Sequence, residues 1–242
     1  MSVRKRSREK SGLKITLFLV VSGLVLAGGA YLVWFSDIVK IQKIEVIGDK
    51  YSMGEELSLA PGGNILFWEP DIELAKSPRV SGFSVEKDYF ERKITINFKS
   101  RDRYAIWCLE GKNECFWVDD GGIAFSEAPD LKGPLIFRLV RDGSGRDLSL
   151  GDKVLDDNLF LNLVAAFDFL DEIDVEAQDF RVDDLKFKEA TAIVKNGPDI
   201  YFSLTLDPHF GLGVIRSLRQ SGEWNIIKYL DLRVPNRAYY SG

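Results

Sequence analysis

Side chains able to do chemistry are few in this sequence. There is one histidine, His209, and there are two cysteines, Cys108 and Cys115. A zinc centre built on several histidines is excluded, and two thiols with one imidazole fall short of the usual four ligands. His209 lies between Pro208 and Phe210, ahead of a helical stretch, which is the setting of a turn or surface residue. Asp119-Asp120-Gly121-Gly122 and Asp142-Gly143-Ser144-Gly145 have the composition of calcium loops. Neither has the alternating ligand spacing or the trailing bidentate acid that such a loop needs, so both read as turns. Pro61-Gly62-Gly63-Asn64 lacks the Lys-Ser/Thr of a phosphate loop. The acidic pairs Asp156-Asp157, Asp171-Glu172 and Asp183-Asp184 read as solvated helix ends and loops. The expectation is a protein that is not an enzyme, with no catalytic residue, no metal, no cofactor and no small-molecule substrate.

The cysteines suggest structure instead. Cys108 and Cys115 flank Leu109-Glu110-Gly111-Lys112-Asn113-Glu114, which reads as a hairpin loop between two strands. Cross-strand neighbours come close to the Cβ separation of about 3.8 Å that a disulfide needs. An oxidising compartment would allow the bridge; two reduced cysteines is the alternative.

The N-terminus indicates the compartment. Between Ile15 and Phe35 no residue is charged, and that length of apolar helix covers a hydrocarbon core of about 30 Å. Arg4, Lys5, Arg6, Arg8, Lys10 and Lys14 precede it, opposed only by Glu9, so residues 1–14 are expected to stay cytoplasmic and the C-terminus to lie outside. Tyr31, Trp34 and Phe35 stand where an outer aromatic belt would be. A cleaved signal peptide ending at Gly28-Gly29-Ala30 is the competing reading, but the apolar run continues for five residues beyond it, to anchor length. Removing six bases and one acid from the chain's 32 and 37 leaves 26 and 36, a net charge of −10 on residues 15–242. So acidic an outer part is a poor nucleic-acid binder, and the basic arm reads as an orientation and headgroup signal.

The elements that follow are short. A strand, Ile41 to Ile47, is closed by Gly48-Asp49. Two short helices are expected, one opened by Ser52-Met53-Gly54-Glu55 and running to Leu59, the other from about Glu69 to Lys76 between Pro70 and Pro78. Val80 to Lys87 and Lys93 to Lys99 read as strands, with Ile94, Ile96 and Phe98 on one face. Beyond Arg103 come strand-like pieces at Tyr104 to Trp107, Cys115 to Asp119, Gly122 to Phe125 and Pro134 to Val140. A helix from about Leu155 to Leu170 has Leu159, Leu163, Ala166, Phe167 and Leu170 at helical spacing. Strands Ala190 to Lys195 and Asp199 to Leu206 flank the turn Asn196-Gly197. A helical stretch, Phe210 to Arg219, precedes a final strand, Lys228 to Arg233, and a short tail. The fold class expected is α+β.

In this order the segments resemble the FtsQ/DivIB family of bacterial division proteins. The resemblance rests on the strand ending Val46-Ile47-Gly48, Pro78 with Val80, Ile94 with Ile96, and Arg101 with Ala105 and Trp107. It also rests on Asp119-x-x-Gly122-x-x-Phe125 and, most specifically, on Tyr229-Leu230-Asp231-Leu232-Arg233 with the segment Val234 to Tyr240 after it. Departures are Ser100, Arg103 and Phe90, where the family often has Glu, Pro and Pro. The resemblance implies a transmembrane helix at 15–35, a small POTRA domain of β-α-α-β-β order at 37–101, and a β-rich domain with flanking helices at 102–242. It implies a non-enzymatic divisome scaffold in the cell membrane, enriched at the septum. Its partners would be small bitopic coiled-coil proteins of the FtsB and FtsL (or DivIC) type, linked to septal peptidoglycan synthesis.

Partner binding is expected at Asn236, Arg237, Ala238, Tyr239 and Tyr240, by strand addition to a sheet edge. Tyr239 and Tyr240 serve either as aromatic anchors for the partner or as caps on the domain's own core. Two other classes compete. An anchored envelope enzyme of the sortase kind would need its histidine before its cysteine, whereas both cysteines here precede His209. An outer-membrane assembly protein would need a run of barrel strands that this length does not hold.

Overall fold

The computed structural model describes residues 5–48, 62–70, 76–130 and 138–241. Contacts divide the chain into two compact units, Met1–Ala75 with Val80–Ser100, and Lys76–Arg79 with Arg101–Gly242.

The first unit begins with helix α1 (Lys5–Phe35), which runs further back into the basic arm than the uncharged run alone suggests. Its window Thr16–Trp34 has a mean hydropathy of 2.1 and none of it is buried in the protein. A helix of this length and hydropathy is long and apolar enough to cross a bilayer, where lipid leaves backbone groups no partners but their own. Ser36 ends it and caps a single 3₁₀ turn, Asp37–Val39, its hydroxyl accepting from the Ile38 N–H at 3.2 Å.

Three strands follow: β1 (Lys43–Ile47), β2 (Val80–Asp88) and β3 (Lys93–Ser100), in the sheet order β1-β3-β2. β1 is parallel to β3 and β2 antiparallel to it. The alternation read in β3 holds, with Ile94, Ile96 and Phe98 buried. Ile94 and Ile96 join Ile41 and Ile65 in a small core flanked by Ile44, Trp68, Phe83 and Val85. The first expected short helix, 52–59, lies outside the described residues, as does the middle of the second, 71–75.

The second unit is built on a nine-stranded sheet in the order β12-β11-β10-β9-β8-β7-β4-β5-β6. Its strands are β4 (Ala105–Leu109), β5 (Glu114–Val118), β6 (Ala124–Ala128), β7 (Leu139–Asp142), β8 (Ala177–Val182), β9 (Glu189–Val194), β10 (Asp199–Ser203), β11 (Tyr229–Val234) and β12 (Arg237–Ser241). Helices α2 (Asp157–Glu172) and α3 (Leu212–Ser221) contribute Phe160, Leu163, Phe167, Ile215 and Leu218 to one core with the sheet's Phe180, Phe202, Leu230 and Leu232. In α2 Phe160 and Phe169 are buried along with Leu163, Ala166, Phe167 and Leu170, whereas Leu159 is only partly buried.

Two expectations are corrected. Residues 177–182, not read as an element, form β8. Only Ala177, Phe180 and Val182 of it are apolar, yet it is held on both sides, by β7 in parallel and β9 antiparallel. The short tail beyond the final strand is itself a strand, β12, folded back on β11.

Candidate functional site

His209 sits in a 3₁₀ turn, Pro208–Gly211, capped by Asp207. The Asp207 carboxylate accepts from the His209 N–H at 2.9 Å and also meets its Nδ1. These contacts, the backbone N–H first, hold the Asp207 carboxyl below the usual carboxylate range. Nε2 lies 3.9 Å from Glu172, and the ring stands edge-on to Phe169. Among the described residues the imidazole meets two carboxylates and a phenyl ring, and neither a hydroxyl nor a thiol.

Cys108 and Cys115 are register partners in β4 and β5 and are joined by a disulfide. Both are buried, beside Ile106 and Leu139 on the sheet face opposite the helices. Asp130 comes within 4.8 Å of the two sulfurs. Bonded sulfurs are not thiolates, so this trio is not a metal centre.

The leading aspartate of each acidic turn is engaged within the protein. Asp119 is an ion-pair partner of Arg101 and accepts from the N–H groups of Gly121 at 3.1 Å and Ile123 at 2.8 Å. Arg101 also donates to the Pro78 carbonyl at 2.8 Å. Asp142 is buried and accepts from Trp107 Nε1 at 3.0 Å, Arg146 Nε at 2.8 Å and the Ser144 N–H at 3.0 Å. Burial pushes its carboxyl up, but hydrogen bonding by Ser144, the Arg146 charge and the Trp107 indole outweigh that and leave it low. Each carboxylate holds its own loop closed, with no oxygen left over for a cation.

The segment expected to bind a partner is the outermost strand of the large sheet. Pro235 and Asn236 are the two residues between the paired Val234 and Arg237. A proline with φ near −65° followed by Asn236 at φ 58° is the residue pair a tight type II turn takes. Arg237, Ala238, Tyr239 and Tyr240 then lie in β12. Of these, Ala238 packs on the core; Tyr239 and Tyr240 stay about half exposed, 48% and 47%. Alternation sends the tyrosines to opposite faces, Tyr240 beside buried Leu230 and Tyr239 beside Asp231.

On Tyr239's face a row crosses the sheet: Thr191, Tyr201, Asp231 and Tyr239 are successive register partners. Arg233 is clamped there, donating to both Asp231 oxygens at 2.9 and 2.6 Å and to Glu189 at 2.7 Å, with its guanidinium 5.1 Å from the Tyr201 ring. Bonding to Arg233 holds the Asp231 carboxyl low, and Asp231 and Glu189 push the guanidinium's pKa up. Tyr229 stands 5.7 Å from Tyr201. Tyr201 and Glu189 were not singled out in the sequence. The alternation Tyr229-Leu230-Asp231-Leu232-Arg233 marks which side chains share the open face, but not which strands come to lie beside them.

Among the described residues nothing pairs with the far edge of β12. An edge strand offers every second amide and carbonyl to another chain, and here two half-exposed tyrosines border that row. No family model matches the chain, and no curated protein matches it either.

Proposed function

We propose that this chain is a non-enzymatic, single-pass membrane scaffold of the bacterial divisome, of the kind that FtsQ and DivIB represent. In this reading the N-terminus is cytoplasmic and both globular units lie outside, since six of the seven charges in residues 1–14 are positive. Residues 37–101 would be a POTRA domain; the order β1-β3-β2, with a β2–β3 hairpin and β1 parallel to β3, supports that assignment. Partners are small bitopic coiled-coil proteins of the FtsB and FtsL (or DivIC) type.

The single observation that carries this reading is β12. It is a terminal strand with a free edge among the described residues, lined by Tyr239 and Tyr240. A partner segment would extend the sheet there, main-chain bonds giving affinity and the aromatic pockets giving selectivity. The sortase-like alternative is disfavoured by chemistry: the two sulfurs are bonded to each other and the histidine is engaged by Asp207.

A fluorescent fusion imaged in dividing host cells tests the proposal. A ring at mid-cell, with co-purification of the two coiled-coil proteins, is the expected result. A uniform envelope signal overturns the septal assignment.

A further inference from the structure

We propose that the tip of the β2–β3 hairpin, with Tyr89 and Phe90, is seated in the lipid–water interface of the leaflet that the C-terminal end of α1 reaches. This goes beyond the scaffold reading and rests only on α1 spanning the bilayer.

Register places the tip there. β1 runs parallel to β3 with Lys43 opposite Lys93, so the start of β1, just past α1, lies beside the hairpin's turn and not its open end. The Gln42 N–H donates to the Arg92 carbonyl at 2.9 Å, and Arg92 Nη1 donates to the carbonyl of Asp37 at 3.0 Å. Asp37 is two residues beyond the end of α1. A third segment closes on the same end. Ile65 N–H donates to the Val39 carbonyl and Ile41 N–H to that of Gly63, both at 2.8 Å. Asn64 donates to the Val33 carbonyl inside the helix at 2.7 Å, and the Phe67 ring lies 4.8 Å from Trp34.

All three segments expose apolar side chains at this end: Ile38, Phe67 and, at the tip, Tyr89 and Phe90, the last 100% exposed. The tip is not slack. The Asp88 carboxylate accepts from the N–H groups of Phe90 and Glu91, each at 2.9 Å, and Lys87 reaches across to the Trp68 carbonyl at 2.6 Å. A fully exposed phenyl ring, held on a pinned turn that is hydrogen-bonded through Arg92 to the residues just past α1, matches the aromatic girdles that sit at headgroup level.

Charge decides what kind of seat it is. Segments 36–42, 62–68 and 86–93 carry four basic and four acidic side chains, so no net attraction to anionic headgroups is built in. The fit is to the interface itself, through rings, and is independent of lipid charge.

The test uses the full chain in phosphatidylcholine vesicles, its native disulfide intact and buried. An environment-sensitive fluorophore is placed at Glu91→Cys and, in a second sample, at Lys99→Cys. Lys99 is six residues beyond Lys93, where β3 leaves the turn, and so about 20 Å up the strand from the tip. The expected result is blue-shifted emission and quenching by lipid spin-labelled near the headgroup for the label at 91, and neither for the label at 99. Adding Tyr89→Ala with Phe90→Ala should bring position 91 down to the level of position 99. Neither added salt nor phosphatidylglycerol should change the contrast. Equal quenching at the two positions in protein that floats with the vesicles overturns the proposal and leaves the anchor standing. Strong dependence on salt or phosphatidylglycerol overturns it in favour of charge-driven docking. Protein that does not float overturns the anchor and the proposal together.

Discussion

Asp119 and Arg101 form an ion pair with side chains only 6% and 19% exposed, at the point where the chain leaves β3 for the second unit. The carboxylate also closes its own turn through two backbone amides. Asp119→Ala would strand a shielded guanidinium and two N–H groups, at a cost of about 3 kcal/mol. Arg101→Ala leaves the carboxylate its amide donors and should cost less, about 1–2 kcal/mol. Thermal unfolding of the full chain in detergent, followed by near-ultraviolet circular dichroism, gives the order; equal losses would refute it.

Gly122 sits in the same turn at φ 78°, and a Cβ there would come within 2.9 Å of the Phe160 ring in α2. Gly122→Ala combines a left-handed backbone with overpacking, so a loss of about 2 kcal/mol is expected. Gly111, also at positive φ but with open space around it, should tolerate alanine better. The same melting experiment compares them.

The Cys108–Cys115 bond closes a loop of eight residues. Chain-entropy arguments give such a loop about 2.5 kcal/mol. Thiol labelling of protein taken from the envelope without reductant should find no reactive cysteine, and Cys108→Ala with Cys115→Ala should melt earlier. Two labelled thiols in the untreated protein would count decisively against the bond.

Acid should act through Asp142. Its folded-state pKa lies below the ordinary value of 3.8, so it contributes stability that is present above that value and is lost as pH falls through the lower, folded one. Melting temperature should therefore hold steady from neutral pH to about pH 5 and drop below about pH 4. In Asp142→Asn the gap to wild type should be widest at neutral pH and narrow in acid. A gap that stays constant down to pH 3 would assign the loss to packing alone.

How far the sequence speaks for itself varies along the chain. The spanning helix was legible because an uncharged run of that length has few other uses, and β3 because Ile94, Ile96 and Phe98 alternate cleanly. β8 was not. Its identity as a strand comes from neighbours on both sides, and Gln178, Asp179 and Arg181 dilute the apolar signal. The hairpin β11–β12 was half legible: Pro235-Asn236 is recognisable turn chemistry, but only the register reveals that Ala238 and Tyr240 share the core-side face while Tyr239 lies on the open one. The Arg233–Glu189 contact joins residues 44 apart and leaves no local trace.

The β12 edge makes the sharpest functional prediction, because backbone pairing and side-chain anchoring fail in different ways. Tyr239 and Tyr240 are half exposed and bear little on the core, so Tyr239→Ala and Tyr240→Ala should leave the melting temperature nearly unchanged. If either ring seats in a partner, capture of the coiled-coil proteins should weaken by about 1–3 kcal/mol. Ala238→Pro removes an amide from the strand and disturbs the residue that does pack on the core, so it should abolish capture and lower stability as well. Its loss of capture alone would therefore be ambiguous; the tyrosine variants separate binding from folding. His209→Ala removes an imidazole whose contacts are to Asp207, Glu172 and Phe169 and not to either tyrosine, and should capture partners as wild type does. Quantitative pull-down with each full-length variant is the measurement. Full capture by the double variant Tyr239→Ala, Tyr240→Ala would show that these rings are not the anchors, and the Tyr201–Tyr229–Arg233 cluster on the open face would be the next surface to substitute.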